Sequence, residues 1–331
     1  MKTAIYSVHK FEKNYLLEAN QDKHELIMLE DVLSENSVML AAGCQAICIF
    51  VSDKTTAPIL NQLFAIGVRF IALRSAGYNQ VDLIESQKLT MKLARVPEYS
   101  PYSVAEHAIA LMLALNRQLI HAHNRINELN FSLNGLTGFD MHGKTAGILG
   151  TGKIGRQVAA ILHGFGCTIL AFDTIQNESL KKDFGVEYVD LKTLCNRSDI
   201  ISLHLPFNQQ TKYIINKESI DWMKKGVMLI NTSRGGLVNT ADVVAAFKNG
   251  QVGYFGMDVY EEEEGLFFED HSQDILQDDV IARLMTFRNV LITSHQAFLT
   301  DTALKNIATT TIHNLDCFEQ GISSGNELNQ K

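Results

Sequence analysis

The sequence predicts an α/β protein with two domains, each built on a parallel β-sheet. Short apolar runs rich in Val, Ile and Ala alternate with segments of helix length, which is the pattern of strands that helices cover on both faces. The chain has 331 residues, and at about 150 residues per domain this length allows roughly two domains with sizeable cores.

Composition excludes several other classes of protein. Hydrophobic residues make up 46% and charged residues 20% of the chain, which excludes disorder and fibrous repeats. The net charge of -8 leaves no basic surface for a phosphate backbone, so we expect no nucleic-acid partner. The cysteine spacing matches no zinc pattern and predicts reduced thiols in a core, at Cys44, Cys48, Cys167, Cys195 and Cys317.

No segment has the pattern of a membrane span or a secretion signal. The apolar run near the N-terminus is short and interrupted. The most apolar long stretch, Val104 to Leu119, contains Glu106, His107, Asn116 and Arg117, so it falls well short of the ~20 apolar residues of a span. We therefore expect a cytoplasmic protein with no membrane partner.

The apolar runs are the predicted strands, and prolines divide them into two groups. Pro97 and Pro101 interrupt the pattern, and because proline disfavours helix in the residue before it, we place a boundary between α/β units there. The runs before this boundary are Lys2–Val8, Ala46–Val51 and Arg69–Leu73. The runs after it are Thr145–Leu149, Thr168–Phe172, Ile200–Leu205, Val227–Asn231, Gly253–Val259 and Val290–Thr293.

A long helix is predicted just after Pro101, with Ser103 as its N-cap. Apolar residues cover most of its circumference, including Ile109 and Leu113 on the side opposite the main apolar face. A helix that is apolar all round is buried on two sides. We expect it to pack on its own sheet and on either the other domain or a second subunit.

The strongest local motif is the glycine-rich sequence Gly150-Thr151-Gly152-Lys153-Ile154-Gly155. It follows the predicted strand Thr145–Leu149, precedes the helix-compatible run Arg156–Phe165, and the next strand ends at Asp173. These glycines allow a tight turn, close approach to a pyrophosphate, and close packing of helix on strand. The helix N-terminus offers N–H groups to phosphates. Asp173 can accept hydrogen bonds from ribose hydroxyls and would repel a 2′-phosphate, so the motif predicts NAD rather than NADP.

The position of this loop predicts the order of the domains. Because a long stretch of α/β pattern precedes Gly150, a separate domain is expected before the nucleotide-binding domain. We expect the last predicted helix, Thr302–Phe318, to return to that first domain.

Polar residues follow three later strands. Arg234 follows one strand, the run Glu261 to Glu264 the next, and His295 the last. In a parallel sheet, ligands bind beyond the carboxyl ends of the strands, so these residues are candidates for one site. The planar guanidinium of arginine suits a carboxylate or a polarised carbonyl. Each motif also has a plainer interpretation: a surface arginine, a solvated acidic face and a structural histidine. Local sequence does not choose among the glutamates.

The motifs GTGKIG, NTSRGG, GMDVYEEE and SHQAF, in this order and spacing, resemble those of the D-2-hydroxyacid dehydrogenases, and the resemblance covers essentially the whole chain. Stretches such as RVPEYSPYSVAEHAIALMLALNR and GLFFEDHSQDILQDD are similar to a fermentative branch that acts on pyruvate and D-lactate. The resemblance implies two doubly wound domains: a Rossmann nucleotide-binding domain, residues 101–298, inserted in a flavodoxin-like catalytic domain, residues 1–100 and 299–331. It also implies NAD as cofactor, a small-molecule substrate, and a homodimer or homotetramer.

The resemblance further implies that Arg234, Glu263 and His295 are the catalytic residues. The family's acid follows the aspartate of a Gly-x-Asp-Val motif at a fixed spacing, which selects Glu263. In the family a proline often follows this acid, and in this chain Glu264 occupies that position. Arg234 would polarise the keto group and bind the carboxylate, His295 would donate a proton, and Glu263 would orient the imidazole.

The substrate and the cofactor would be bound by residues from several loops. The backbone of Ala76 and Gly77 would hold the substrate carboxylate, and Tyr99 and Phe298 would surround its side chain. The residues implied to bind the cofactor are Gly150, Gly152, Lys153, Ile154, Gly155, Asp173, His204, Pro206, Thr211, Thr232 and Asp258. No metal site is implied.

Two other functions remain open at this stage. A sister dehydrogenase would act on a branched 2-oxo acid, glyoxylate or phosphohydroxypyruvate. A nucleotide-sensing scaffold, similar to relatives that act as corepressors, would not need the catalytic set that this chain retains.

Overall fold

Both sheets of the protein are parallel throughout. The structure is a computed structural model in which residues 1–328 are described. The chain divides into two compact units, one formed by Met1–Ser100 with the segment from Leu299 onward, and the other by Pro101–Phe298.

The first unit contains a sheet with the strand order β2-β1-β3-β4-β5, which is the flavodoxin-like order. Its strands are β1 (Lys2–Ile5), β2 (Glu25–Met28), β3 (Ala46–Ile49), β4 (Phe70–Leu73) and β5 (Lys92–Ala94). The helices that alternate with them are α1 (Lys10–Asn20), α2 (Ala57–Ala65) and α3 (Leu83–Lys88).

The second unit contains a longer sheet with the order β12-β11-β10-β9-β6-β7-β8. Its strands are β6 (Thr145–Leu149), β7 (Thr168–Phe172), β8 (Glu187–Tyr188), β9 (Ile200–Leu203), β10 (Val227–Asn231), β11 (Val252–Met257) and β12 (Val290–Ile292). Its helices are α4 (Pro101–Asn116), α5 (Leu119–Asn127), α6 (Lys153–Gly164), α7 (Glu178–Phe184), α8 (Leu191–Arg197), α9 (Lys217–Asp221), α10 (Thr240–Asn249) and α11 (Asp279–Met285). Counted from β6, this is the Rossmann order with one further strand, so the predicted fold class is confirmed.

The last helix, α12 (Asp301–Gln320), belongs to the first unit. It packs on α1 and β4. Its residues Ile312, Leu315 and Phe318 share an apolar core with Ile5 of β1 and Ala72 of β4. The C-terminal part of the chain therefore fills one side of the first sheet.

Sequence patterns missed three strands, β2, β5 and β8, and each lies at the edge of its sheet. These strands have four, three and two residues. These three strands are paired on one side only and bury less apolar surface, so they lack the apolar run that marks a central strand. The remaining edge strand, β12, has such a run and was predicted.

The expected N-cap of the long helix is wrong. Helix α4 begins at Pro101, so Ser103 lies within its first turn and is buried. Proline suits the first helical position because its fixed φ is helical and its missing N–H is not needed there. Ile109 is buried in the core of the second unit, whereas Leu113 is half-buried. A contact of this face with another domain or subunit stays a prediction.

Among the described residues, no helix combines the length and the apolarity that a bilayer span requires.

Candidate active site

The glycine loop joins β6 to α6, and each of its glycines has a different surrounding. Gly150 has a φ of +94°, and a Cβ there would lie 2.7 Å from the carbonyl carbon of His204. A Cβ on Gly155 would overlap the carbonyl oxygen of Gly150. Gly152 instead opens onto free space. The loop is thus closely packed on the protein side and open where a ligand would approach.

Helix α6 begins at Lys153, three residues earlier than predicted, so Lys153, Ile154 and Gly155 form its first turn. Gly152 is its N-cap and supplies no side-chain cap. The first N–H groups of this helix therefore suit a phosphate group.

Asp173, at the end of β7, is hydrogen-bonded to the glycine loop. Its Oδ2 accepts from the backbone N–H and the hydroxyl of Thr151, at 2.6 and 3.0 Å. Burial alone would raise the pKa of Asp173, but the hydrogen bonds from Thr151 and Ile175 outweigh it and lower that pKa. Asp173 is therefore ionised at neutral pH, as an acceptor for ribose hydroxyls must be.

The ends of β9 and β10 carry two buried polar atoms with no hydrogen-bond partner in the described part of the chain, Nδ1 of His204 and Oγ1 of Thr232. Nε2 of His204 lies 2.8 Å from Oγ of Ser202. Burial lowers the pKa of His204 to about 3, so its ring is neutral. Unpaired buried polar atoms at the carboxyl edge of a nucleotide-binding sheet fit the polar groups of a dinucleotide.

Pro206 and Thr211 form the turn that follows His204. The hydroxyl of Thr211 donates to the carbonyl of Pro206 at 2.7 Å. This hydrogen bond stabilises the turn. The predicted binding of a cofactor by Pro206 and Thr211 stays a prediction.

Strands β10, β11 and β12 are neighbours in the sheet, so the loops that carry Arg234, Glu263 and His295 leave the same edge. The loop after β10 approaches the loop after β11 very closely: a Cβ on Gly235 would overlap the backbone of Tyr260. A glycine next to Arg234 therefore permits this approach.

Glu263 and His295 form a hydrogen-bonded pair. Oε1 of Glu263 lies 3.0 Å from Nδ1 of His295, and their side chains are 27% and 16% exposed. Oε2 of Glu263 accepts from the backbone N–H of Tyr260 at 3.0 Å, which fixes the carboxylate. With Nδ1–H donated to Glu263, Nε2 is the ring nitrogen that can face a substrate.

The other glutamates of the run differ from one another. Glu262 and Glu264 are exposed, as a solvated face predicts. Glu261 is half-buried, and its Oε1 accepts from the backbone N–H of Thr240 at the start of α10, at 3.1 Å. The interpretation of the run as a solvated face is therefore wrong for Glu261 and for Glu263.

Arg234 has a half-buried guanidinium with one hydrogen bond to the described chain, from Nη1 to the carbonyl of Ser233 at 2.7 Å. Asn231 holds the backbone here, because its Nδ2 donates to the carbonyl of Arg234 at 2.9 Å. The remaining N–H groups of the guanidinium are left for an anionic or carbonyl ligand.

Asp258 lies between these loops and is almost completely buried, at 1% exposed. Its carboxylate accepts from the hydroxyl of Thr293 and from the backbone N–H groups of Gln296 and Ala297. Burial would raise the pKa of Asp258, but the hydrogen bonds from His107, Thr293, Ala297 and Gln296 together lower it. The carboxylate is thus used within the protein, and its predicted contact with a cofactor stays a prediction.

Phe268 is a neighbour of His295 that sequence reasoning did not single out. The two ring centroids are 5.7 Å apart. The residue lies in the GLFFEDHSQDILQDD stretch, which indicated the family branch but gave no role to any residue. Only the folding of this stretch back toward β12 brings Phe268 to the histidine.

In the first unit, the loop after β4 has its carbonyl groups hydrogen-bonded. The carbonyl of Ala76 accepts from Nη1 of Arg95 at 2.5 Å, and that of Gly77 accepts from Oγ of Ser75 at 2.7 Å. Within the described residues, the N–H groups of Ala76 and Gly77 have no partner. This arrangement suits the binding of a carboxylate by backbone N–H groups.

Tyr99 and Phe298 lie in different units. Tyr99 belongs to the first unit, where its carbonyl accepts from Nδ2 of Asn306 on α12 at 2.7 Å. Phe298 is half-buried at the end of the loop that carries His295. Their predicted role around a substrate side chain stays a prediction.

Known proteins show which class this fold and site define. Residues 109–297 match the family described as D-isomer specific 2-hydroxyacid dehydrogenase, NAD binding domain. The chain is 49% identical to D-lactate dehydrogenase of Escherichia coli (strain K12), over 99% of this chain and 100% of that protein.

Solved structures give the same result. A structure reported for the pyruvate reductase of Chlamydomonas reinhardtii has a TM-score of 0.93 at 42% identity, covering 98% of each chain. D-lactate dehydrogenase from Aquifex aeolicus, complexed with NAD and lactic acid, has a TM-score of 0.89 at 32% identity, covering 99% of each chain.

The chain belongs to the D-isomer specific 2-hydroxyacid dehydrogenases. It is an NAD-dependent enzyme of this family, and the predictions of the family and of the cofactor are confirmed.

Proposed function

We propose that this enzyme is a D-lactate dehydrogenase, which reduces pyruvate to D-lactate with NADH and also catalyses the reverse reaction. The observation that carries the proposal is the 3.0 Å contact between Glu263 and His295, on the sheet edge that also carries Arg234. The similarity to D-lactate dehydrogenase of Escherichia coli over the whole chain supports the same substrate.

The residues at the carboxyl edge of the second sheet fit NAD. The first turn of α6 would bind the pyrophosphate, Asp173 the ribose hydroxyls, and the unpaired atoms of His204 and Thr232 further polar groups. NADH, when bound, supplies the hydride for the reduction.

His295 exchanges the proton of the reaction. In reduction, the imidazolium donates a proton from Nε2 to the oxygen of the former keto group; in oxidation, the neutral ring accepts it back. Glu263 accepts a hydrogen bond from Nδ1, so it fixes the orientation of the ring and leaves Nε2 to face the substrate.

Arg234 and the loop after β4 bind the substrate. The free N–H groups of Arg234 polarise the keto group and attract the carboxylate, and the planar fork sets the orientation of both. The N–H groups of Ala76 and Gly77 bind the carboxylate, and Tyr99 and Phe298 surround the methyl group.

The test is NADH oxidation by the purified enzyme with a panel of 2-oxo acids, followed by chiral analysis of the product. We expect pyruvate to be the best substrate and D-lactate the product. A higher kcat/KM with 2-oxoisocaproate, glyoxylate or phosphohydroxypyruvate would assign the enzyme to a sister activity. Absence of turnover with every 2-oxo acid would support a nucleotide-sensing scaffold instead. The cytoplasmic location and the homodimer or homotetramer stay predictions.

A further inference from the structure

His107 connects helix α4 to the loop that carries His295. Nε2 of His107 lies 3.0 Å from Oγ1 of Thr293 and 3.5 Å from Oδ1 of Asp258. The His107 side chain is 18% exposed and that of Asp258 is 1% exposed, so these contacts are largely shielded from water. Neither His107 nor Thr293 belongs to the residues proposed above to contact substrate or cofactor.

The carboxylate of Asp258 holds the loop on both sides of His295. It accepts from Thr293 Oγ1 before the histidine, at 2.5 Å, and from the N–H groups of Gln296 and Ala297 after it, both at 2.8 Å. The backbone carbonyl of Asp258 also accepts from the N–H of His295 at 2.7 Å. The loop is therefore fixed by one buried residue.

His295 requires such fixing because its backbone is strained. Its φ is +50°, in the left-handed region that residues with a side chain seldom adopt. A conformation of this kind persists only when the surrounding contacts impose it, and strain of this kind clusters at functional sites. The direction of the imidazole therefore depends on the hydrogen bonds around Asp258.

The hydrogen bonds of this network run from His107 to Thr293 and from Thr293 to Asp258, so His107 is the donor farthest from Asp258. The Thr293 hydroxyl has one proton, and Asp258 is ionised, so this hydroxyl donates to Asp258 and its oxygen remains an acceptor. His107 donates Nε2–H to that oxygen and faces the buried carboxylate from a helix that packs on β10, β11 and β12. Removing this donor leaves the Thr293 oxygen without its partner and the Asp258 carboxylate with one polar neighbour fewer.

We propose that His107 is a positioning residue that, through Thr293 and Asp258, keeps His295 in the conformation required for proton transfer. The inference rests on the proposed role of His295 as proton donor. His107 is not among the residues proposed to contact substrate or cofactor, so we expect its effect to be transmitted through the loop.

Two substitutions of His107 separate its hydrogen bond from its volume. His107→Leu fills the space without a donor, whereas His107→Gln places an amide N–H near the position of Nε2. We expect His107→Leu to lower kcat for pyruvate reduction ~10-fold to ~100-fold, because small misplacements of a reacting group have effects of this size. His107→Gln should recover most of the loss. Glu106→Gln, at an exposed neighbour on the same helix, is the matched control and should behave as wild type.

Thr293→Val tests whether the effect of His107 passes through Thr293. This variant remains informative if His107→Leu does not fold. It removes the hydroxyl between His107 and Asp258 with little change in volume. We expect the same class of defect, and the losses in the double variant should be clearly less than additive, because both changes break one network.

A readout that does not depend on turnover comes from proton–nitrogen NMR correlation spectra of the histidine side chains, with His295→Ala to assign the His295 signal. We expect the Nδ1 signal of His295 to move in His107→Leu and to return in His107→Gln. An unchanged His295 signal together with wild-type kcat in His107→Leu would overturn the inference. A wild-type enzyme that does not reduce pyruvate would instead overturn the proposed function, whereas the NMR comparison would still decide the role of His107.

Discussion

At the scale of single residues, the proposed proton transfer is expected to depend on the contact between Glu263 and Nδ1 of His295. Glu263→Gln keeps the size of the side chain and a hydrogen-bond acceptor but removes the negative charge that faces the His295 ring. We expect kcat for pyruvate reduction to fall more than ~10-fold, and His295→Ala to lose ~10²–10⁴-fold, the usual range for general acid catalysis. Steady-state kinetics of the purified variants measures both.

The matched control is Glu262→Gln, because Glu262 is exposed in the same run and should leave the rate unchanged. Glu261 is a poor control, since it accepts from the N–H of Thr240. If Glu262→Gln lowers the rate as much as Glu263→Gln does, the catalytic carboxylate has been misassigned.

Arg234 is expected to act through the geometry of its guanidinium rather than through charge alone. Arg234→Lys keeps the charge but cannot form two parallel hydrogen bonds. We expect the loss of most of kcat/KM for pyruvate, with the Kd of NADH, measured by fluorescence, close to that of the wild type. Arg117→Lys, at an exposed arginine of the same unit, should have no effect. Normal turnover of the Arg234→Lys enzyme would remove Arg234 from the catalytic set.

Asp173 is expected to determine the choice between the two nicotinamide cofactors. Its ionised carboxylate, fixed by Thr151, would face the 2′-phosphate of NADPH. Because opposed like charges cost several kcal/mol at a binding site, we expect kcat/KM with NADH to exceed that with NADPH by at least ~100-fold. Asp173→Asn should narrow this ratio. Similar kcat/KM values for the two cofactors in the wild type would contradict the assignment.

At the scale of elements, the loop after β12 should respond to acid through Asp258. The pKa of Asp258 lies below its ordinary value, so its contribution to the free energy of unfolding is complete above the pKa of an unfolded aspartate, ~3.9, and is lost as the pH falls through the lower folded value. We therefore expect Asp258→Asn to destabilise the protein at neutral pH and to differ less from the wild type in acid. Urea unfolding at several pH values measures this difference. A difference that stays constant, or grows, below the ordinary carboxyl range would contradict the inference.

The elements also show where sequence patterns succeed. The predicted bounds of β6, β7 and β10 agree with the structure, because these strands lie inside their sheet and are marked by continuous apolar runs. The edge strands β2, β5 and β8 were missed for lack of such a run, whereas β12, also at an edge, has the run Val290–Thr293 and was predicted. The pairing of Glu263 with His295 agrees with the family spacing, whereas the contacts of Phe268 and His107 with distant loops left no local signal.

At the scale of the whole molecule, the property to be tested is the size of the preferred substrate. Tyr99 and Phe298 are both predicted to surround the substrate methyl group. Large rings leave little room for branching, and each added or missing methylene changes discrimination by ~1–3 kcal/mol. We therefore expect kcat/KM for pyruvate to exceed that for 2-oxoisocaproate. Phe298→Ala should reduce the ratio of kcat/KM for pyruvate to kcat/KM for 2-oxoisocaproate. A wild-type preference for 2-oxoisocaproate would show that the predicted pocket is wrong.

The return of α12 to the first unit has a consequence for co-translational folding on the ribosome. The strands of the first sheet leave the exit tunnel before the second unit does, but the helix that supplies Ile312, Leu315 and Phe318 to their core is translated after it. The second unit is continuous in sequence and can finish folding while the earlier strands still wait for α12. A nascent chain that is stalled before Asp301 should therefore display apolar surface on its N-terminal part, and this is where a chaperone would bind it.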